Sequence, residues 1–512
     1  MADIHENSKR IAKNTILLYI RMIFLMLISL YTSRVILNAL GIEDFGIYNV
    51  VGGFVVTFSV ISGSLSAAIT RFLNFELGRN EAKRLIHVFS SAVSIQIGLA
   101  VIIAILANSV GLWFLYEKMV IPLDRMNAAL WVFEFSVFTF CINLISVPYN
   151  AAIIAHEKMG VFAYISLLEG ILKLGICYFI QFTSFDRLIF YAILMASVSL
   201  VIRFVYGLYC KKYFVECRYH FIFDKNLLKQ MFGFAGWNFI GASSAVLRDQ
   251  GGNVVINLFA GPSVNAARGI SMAVSSAVSG FVTNFMTALS PQITKSFASG
   301  EKQYMLTLIF QGARLSYYML LFLSLPIILN THFVLQIWLK IVPDHAVLFT
   351  QLVLIFAMSE SISNPLITAM LATGRIRNYQ IVVGGLQMMN LPLSYILLKI
   401  GLIPETVMIV AIFVSQVCFI ARLIMLRSLI GLNPKDYLKR VYFNIIVVTV
   451  ISLIIPTTLS VIIREEWINF IIVTLLSFMS CFITILYIGC NSQERSLVFA
   501  KIHCILKKLR YD

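Results

Sequence analysis

The chain has 512 residues, of which 59% are hydrophobic and only 12% charged, against roughly 45–50% and about 25% in ordinary globular domains. A mean hydropathy of +0.88 excludes a soluble core, a disordered chain and any sizeable water-soluble catalytic domain, and predicts an all-α polytopic membrane protein. The net charge of +16 fits the Lys and Arg that gather in cytoplasmic loops better than it fits nucleic acid, which is not an expected partner.

A transmembrane helix needs about 20 mostly apolar residues. In chain order, such runs occupy 14–37, 47–70, 86–116, 127–154, 160–183, 187–210, 231–259, 263–290, 306–331, 346–371, 378–399, 404–428, 441–463 and 466–489. The first is long, carries Arg21 and lacks a small-residue cleavage site, so it reads as a span and not as a cleaved signal. Runs 231–259 and 263–290 are polar enough that a hydropathy window would pass over one of them. With the N-terminus inside, inner segments hold 26 of the 40 basic residues and outer loops 6. That asymmetry predicts cytoplasmic termini at both ends. The longest loop, 211–230, leaves no room for a nucleotide-binding domain, and no G-x-x-x-x-G-K-[ST] is present. Eight cysteines lie scattered without C-x-x-C or metal-ligand spacing, so they read as small apolar side chains. Residues 490–512 alternate Leu497, Phe499, Ile502 and Leu506 with Lys501, Lys507 and Lys508, which suits a helix lying on an anionic inner leaflet.

The chain resembles itself at a period near 220 residues. Val147-Pro148-x-x-x-Ala152-x-x-Ala155 matches Asn364-Pro365-x-x-x-Ala369-x-x-Ala372, an offset of 217; Phe75-x-x-Gly78 matches Phe297-x-x-Gly300, an offset of 222; Gly41 stands 220 before Gly261. The expected organisation is an N-lobe over 1–230, a C-lobe over 231–440, two further helices over 441–489 and the amphipathic tail over 490–512. Six helices per repeat put both lobes in the membrane the same way round, flanking a central cavity, an architecture suited to alternating access.

Leaving aside the two residues at each end of a run, eight basic residues fall within spans (Arg21, Arg34, Lys173, Arg203, Arg248, Arg268, Arg314 and Arg422) against four acids, Glu134, Glu169, Asp249 and Glu360. Each costs roughly 2.5–3.5 kcal/mol at mid-membrane and should face a cavity or a partner. Arg422, near an inner end, is expected to snorkel to the interface. Glu169 and Lys173 stand four apart on one helix and should pair. The excess of cations points to an anionic ligand, and pyrophosphate matches the forked donors of Arg. Arg21, Arg248, Arg268 and Arg314 are the candidates to hold it. Asn253 and Asn257 recur with Asp249 at steps of four, so all three share one face of span seven. Ser271, Ser275, Ser279, Thr283 and Thr287 do the same on span eight, suggesting a wet cavity wall, with helix packing through small residues as the alternative. A wet wall would spare a sugar the roughly 2–7 kcal/mol that each bare hydroxyl costs in hydrocarbon. Asp249, Glu360 and Glu134 are candidates for coupling to H+ or Na+. No metal or organic cofactor is expected, and whether transport is ion-coupled stays open.

Four stretches carry a family resemblance. They are Ser33-Arg34-x-x-Leu37-x-x-Leu40-Gly41-Ile42-Glu43-Asp44-Phe45-Gly46-Ile47-Tyr48, Pro148 to Lys158, Gly252-Asn253 through Asn265-Ala266-Ala267-Arg268-Gly269-Ile270, and Pro291-Gln292-Ile293-x-Lys295-Ser296. Across nearly its whole length the chain resembles the Wzx-type polysaccharide and O-antigen flippases of the multidrug/oligosaccharidyl-lipid/polysaccharide exporter superfamily. That resemblance implies no enzymatic activity, a bacterial inner-membrane location and an undecaprenyl-diphosphate-linked glycan carried outward for surface polysaccharide or lipopolysaccharide assembly. Membrane lipids and the polysaccharide polymerase machinery are the other partners it suggests. It also implies cavity arginines on spans one and eight, for which Arg21, Arg34 and Arg268 are the candidates, and a lipid-tail groove along spans thirteen and fourteen. The alternatives are a cation-coupled drug antiporter, which would prefer an acidic cavity, and a glycan polymerase or glycosyltransferase, which would need larger outer loops. The topology is testable directly: alkaline phosphatase fused within 211–230 should be inactive, and the same enzyme fused at Asp344 active.

Overall fold

The computed structural model describes residues 2–56, 59–79, 81–117, 121–222, 224–339, 342–463, 465–491 and 494–496, and all that follows concerns these; the expected amphipathic tail lies almost wholly outside them. Among the described residues the chain forms helices and no strand, as a bilayer demands of a backbone that must satisfy its own polar groups. α1 (Ala2–Val56) and α2 (Ser59–Arg79) carry the first two expected spans. They are followed by α3 (Ala82–Glu117), α4 (Leu123–Ala155), α5 (Met159–Phe179) and α6 (Arg187–Tyr213). α7 (Lys225–Ala298) carries spans seven and eight. Then come α8 (Lys302–Leu329), the short α9 (Thr331–Leu339), α10 (Ala346–Thr373), α11 (Arg377–Lys399), α12 (Thr406–Ile430), α13 (Pro434–Ile462) and α14 (Glu466–Gly489). Twelve stretches among the described residues are long and apolar enough to cross a membrane. The two other expected runs are 47–70, only part of which is described, and 231–259, which is helical but polar, as foreseen for one of that pair.

α1 and α7 are each interrupted at one glycine: Gly41 has φ 81° and ψ 170°, and Gly261 has φ 83° and ψ −179°. That region is open essentially to glycine alone. The two breaks have the same conformation 220 residues apart, so the duplication read from sequence is present in the backbone. A second equivalence closes α4 and α10, where Glu157 and Gly374, 217 apart, both take left-handed φ of 58° and 73°.

The helices form two compact units, Met1–Ser243 with Thr287–Glu301, and Ser244–Met286 with Lys302–Asp512. This division differs from the sequence boundary at 230/231, because both ends of α7 pack into the first unit. There Phe234 meets Phe72 edge-on at 6.1 Å, and Lys295 reaches Glu157 at 2.6 Å. Each unit has its own apolar cluster, and the clusters match. Ile47, Leu115, Ala129, Val132, Leu188 and Ala192 in the first correspond to Val264, Leu335, Ala346, Phe349, Val407 and Ala411 in the second. Ion pairs between helix ends repeat too. Arg125 binds Asp186 at 2.6 Å and also Asp44; the equivalent positions hold His345 and Glu405, 2.7 Å apart. Partial burial pushes the Asp186 carboxyl up, but hydrogen bonds from Arg125 and from the amides of Ile189 and Leu188 outweigh it and hold the pKa below the ordinary Asp value. The pair is therefore intact at neutral pH, and its contribution is lost only as acid titrates Asp186.

Within the first unit, Glu157 is a hub. Its buried carboxylate accepts from Arg10 at 2.8 Å, Lys295 at 2.6 Å and the Gln292 amide, while its carbonyl accepts from Asn14 at 3.3 Å. The motif residues Gln292 and Lys295 thus meet the end of the Pro148-to-Lys158 motif. At the opposite break, Gly261→Ala should cost about 1–3 kcal/mol from backbone strain. Gly269→Ala, at a helical site with open space around it, should be neutral or stabilising by about 0.4–1 kcal/mol. Thermal unfolding of the two purified variants reads the difference.

Candidate functional site

The second unit gathers the charges that the sequence singled out on spans seven and eight. The Gly261 break brings Arg268, seven residues beyond it, back against the turns that carry Asp249 and Asn253. Its Nη1 donates to the Asp249 carbonyl at 3.0 Å and to Asn253 Oδ1. Asn265 Nδ2 donates to the Asn253 carbonyl at 3.0 Å and closes the loop. Glycine at 252 is what lets the guanidinium lie there, since a Cβ would come within 3.2 Å of Arg268 Nη2. At Gly251 a Cβ would stand 2.4 Å from Leu391 Cδ1, so this glycine admits α11 to the same wall. Arg248 forks onto its neighbour Asp249, with Nε–Oδ1 at 2.9 Å and Nη2–Oδ2 at 3.2 Å, and its guanidinium sits 5.0 Å from the Phe356 ring centre.

These groups line a pocket with Asn390 and Ser394 of α11 and Met408 of α12. Arg268 is only 3% exposed, yet among the described residues its Nε has no hydrogen-bond partner, and neither has Asn390 Oδ1. The cluster counts two arginines against one carboxylate. It is a site with one net positive charge, a buried unmet donor and a half-exposed Asp249, chemistry suited to an oxyanion that accepts several N–H groups.

The other expected residues fall elsewhere. Asn257 is exposed. Glu360 lies one turn beyond Phe356, accepts from Ser415 Oγ and is within electrostatic reach of Arg248 and Arg422. Arg422 does not snorkel: it is 1% exposed, with Nε 3.4 Å from the Tyr379 hydroxyl. Packing of α11 over that turn of α12 removes the water route that its sequence position near an inner end suggested. Arg314 is claimed by the C-terminal segment, bonding the Gly489 carbonyl at 3.0 Å and Glu494 at 2.8 Å. Arg21 belongs to the first unit, 4.3 Å from the Phe162 ring centre, with Nε unpartnered. In the same unit Glu169 and Lys173 pair at 2.6 Å, as their spacing required. Glu134 is half-buried there with no ion pair among the described residues, and the Arg34 side chain lies outside the described residues. Of the Ser/Thr stripe, Ser271 is fully buried and bonds Thr350 at 3.0 Å, the helix-packing alternative, while Thr283 is exposed. Asn390, Ser394 and Phe356 were not foreseen, because each reaches the pocket from a helix distant in sequence and sits in an unremarkable apolar run.

Against this geometry the comparisons with known proteins are specific. A family described as polysaccharide biosynthesis protein matches residues 11–297, more than half of the chain. The chain belongs to that family. No curated protein matches it. Among solved structures this polysaccharide biosynthesis protein is similar to MATE in the bent conformation, with 13% identity, TM-score 0.72, and coverage of 84% of this chain and 97% of that one. It is similar also to a multidrug resistance MATE family transporter of the MOP superfamily in its outward-facing conformation, at 13% identity and TM-score 0.70, over 83% of this chain and 96% of that one. A MOP superfamily transporter from Pyrococcus furiosus, reported with a binding pocket of reverse polarity, matches at 13% identity and TM-score 0.68, again over 83% and 96%. At such identities the likeness carries the fold alone; it bears out the expected architecture, and the family match bears out the resemblance read from sequence.

The site makes a prediction independent of any glycan. Arg248→Gln should weaken binding of inorganic pyrophosphate to the purified protein by at least about tenfold. Asn257→Ala should leave it within about twofold, as measured by calorimetric titration.

Proposed function

We propose that this protein is a flippase that carries a diphosphate-linked lipid oligosaccharide from the cytoplasmic to the outer leaflet of a bacterial inner membrane by alternating access. The Arg248–Asp249–Arg268 cluster is the observation that carries the reading. It places surplus positive charge and an unmet buried donor in a membrane-spanning unit, where a polyisoprenoid diphosphate supplies the matching anion. Membership of a polysaccharide biosynthesis family supports the glycan half of the substrate. In this reading Arg268, caged by Asn253, is the fixed part of the diphosphate site. Arg248 is the mobile part, free to exchange Asp249 for a phosphate oxygen. Asp249, released by that exchange, then becomes available to a proton or sodium ion, which would couple binding to a gradient. Both termini lie in the cytoplasm, and the protein acts as a carrier and not as an enzyme.

A drug antiporter shares the fold, and one of the similar transporters is described as differing in pocket polarity. Sign of charge is therefore the discriminating property, and here it is positive. Mass spectrometry of polyprenyl-diphosphate glycans from cells with and without the gene tests the reading. Complete repeat units should accumulate in the deletion while surface polysaccharide disappears, and Arg268→Gln should reproduce both effects at normal protein level. Unchanged pools in a strain with no second flippase would overturn it in favour of the antiporter.

A further inference from the structure

A second cavity, of about 460 Å³, lies within the second unit between α8, the start of α13 and the end of α14. Its polar lining comprises Thr307, Gln311, Arg314, Arg440, Asn444 and Asn491, and the Thr307 hydroxyl already donates to the Gln303 carbonyl at 2.9 Å. Arg314 and Asn444 are already fixed. Arg314 is bound by Gly489, Asn491 and Glu494; Asn444 accepts from the Tyr318 hydroxyl and donates to the Ile488 carbonyl at 3.2 Å. Arg440 is exposed and has no ion pair among the described residues. With Glu494 answering Arg314, the cavity keeps, among the described residues, one unanswered cation and the free amide of Gln311.

Position says what kind of anion fits. Arg440 stands six residues after Pro434, the first residue of α13, so it lies roughly 9 Å along the helix from its inner end. That is head-group depth by the expected topology. From Arg440 an exposed apolar stripe, Phe443, Ile446, Val450 and Ile454, runs along α13 at steps of three and four, one face of a helix. A cationic hook at the foot of an apolar stripe matches a lipid, phosphate below and acyl chain above. We infer that this cavity binds the phosphate head group of an anionic inner-leaflet phospholipid, at a site separate from the Arg248–Arg268 cluster. The bound lipid would complete the wall between α8 and the C-terminal helix pair, and the inference does not rest on the flippase reading.

Native mass spectrometry of the full-length protein in detergent, titrated with phosphatidylglycerol, tests it. Binding should be at least about tenfold tighter than for a diacylglycerol of the same chains, and Arg440→Gln should erase that preference. Lys439→Gln, which removes the same charge from an exposed neighbour, should change it by no more than about twofold. Equal losses in the two variants would mean diffuse attraction to a basic surface and overturn the site, as would an unchanged Arg440→Gln. Displacement of phosphatidylglycerol by equimolar inorganic phosphate would overturn the lipid assignment, and displacement by polyprenyl diphosphate alone would assign the cavity to a transported lipid instead.

Discussion

Much of this molecule answers to one constraint: a charge placed among transmembrane helices is stabilised by a partner within the protein. Water is not available to supply the several kcal/mol of lost solvation. Glu157 satisfies the rule by taking two cations and an amide, and in doing so it fastens α1, the end of α4 and the end of α7 within one unit. Arg314 satisfies it by reaching the C-terminal segment; Arg422 does so only in part, with Nε near the Tyr379 hydroxyl and Nη1 unpartnered among the described residues. The Arg248–Asp249–Arg268 cluster satisfies it incompletely. Two cations share one carboxylate, and one guanidinium nitrogen is left without a partner. Arg21 and Arg422 also leave a guanidinium nitrogen unpartnered among the described residues, and what sets Arg268 apart is that it lines a pocket.

The duplication shows how one architecture was made to serve two ends. Both halves keep the glycine break, the left-handed residue after the proline-bearing helix and a matching apolar cluster. These are the features that let a helix pair reverse and pack, so either half would lose its fold without them. The chemistry attached to them differs. Arg125 with Asp186 in one half becomes His345 with Glu405 in the other. The turn after Gly41 supplies Asp44 to an ion pair, whereas the turn after Gly261 supplies Arg268 to the pocket. A shared scaffold thus carries an ion-pair clasp in one half and a charged pocket in the other.

The sequence by itself determined the class, the span positions and the repeat, because hydropathy, loop charge and glycine spacing are properties of the chain read along its length. It also determined the helices of the site: steps of four on span seven put Asp249 and Asn253 on one face whatever they pack against. Tertiary structure alone decided which charges meet. Arg422 and Arg314 look from sequence like a snorkelling cation and a ligand-binding one. Packing of α11 buries the first, and the return of the chain after α14 claims the second. Glu157 gave no signal as a lone acid in an inner loop, because its partners Arg10 and Lys295 stand 147 residues before it and 138 after it. Pairing energy depends on distances of a few ångströms between groups brought together by folding. Periodicity specifies a face of a helix, and only the neighbour that covers that face decides whether its charge serves the structure or is left for a ligand.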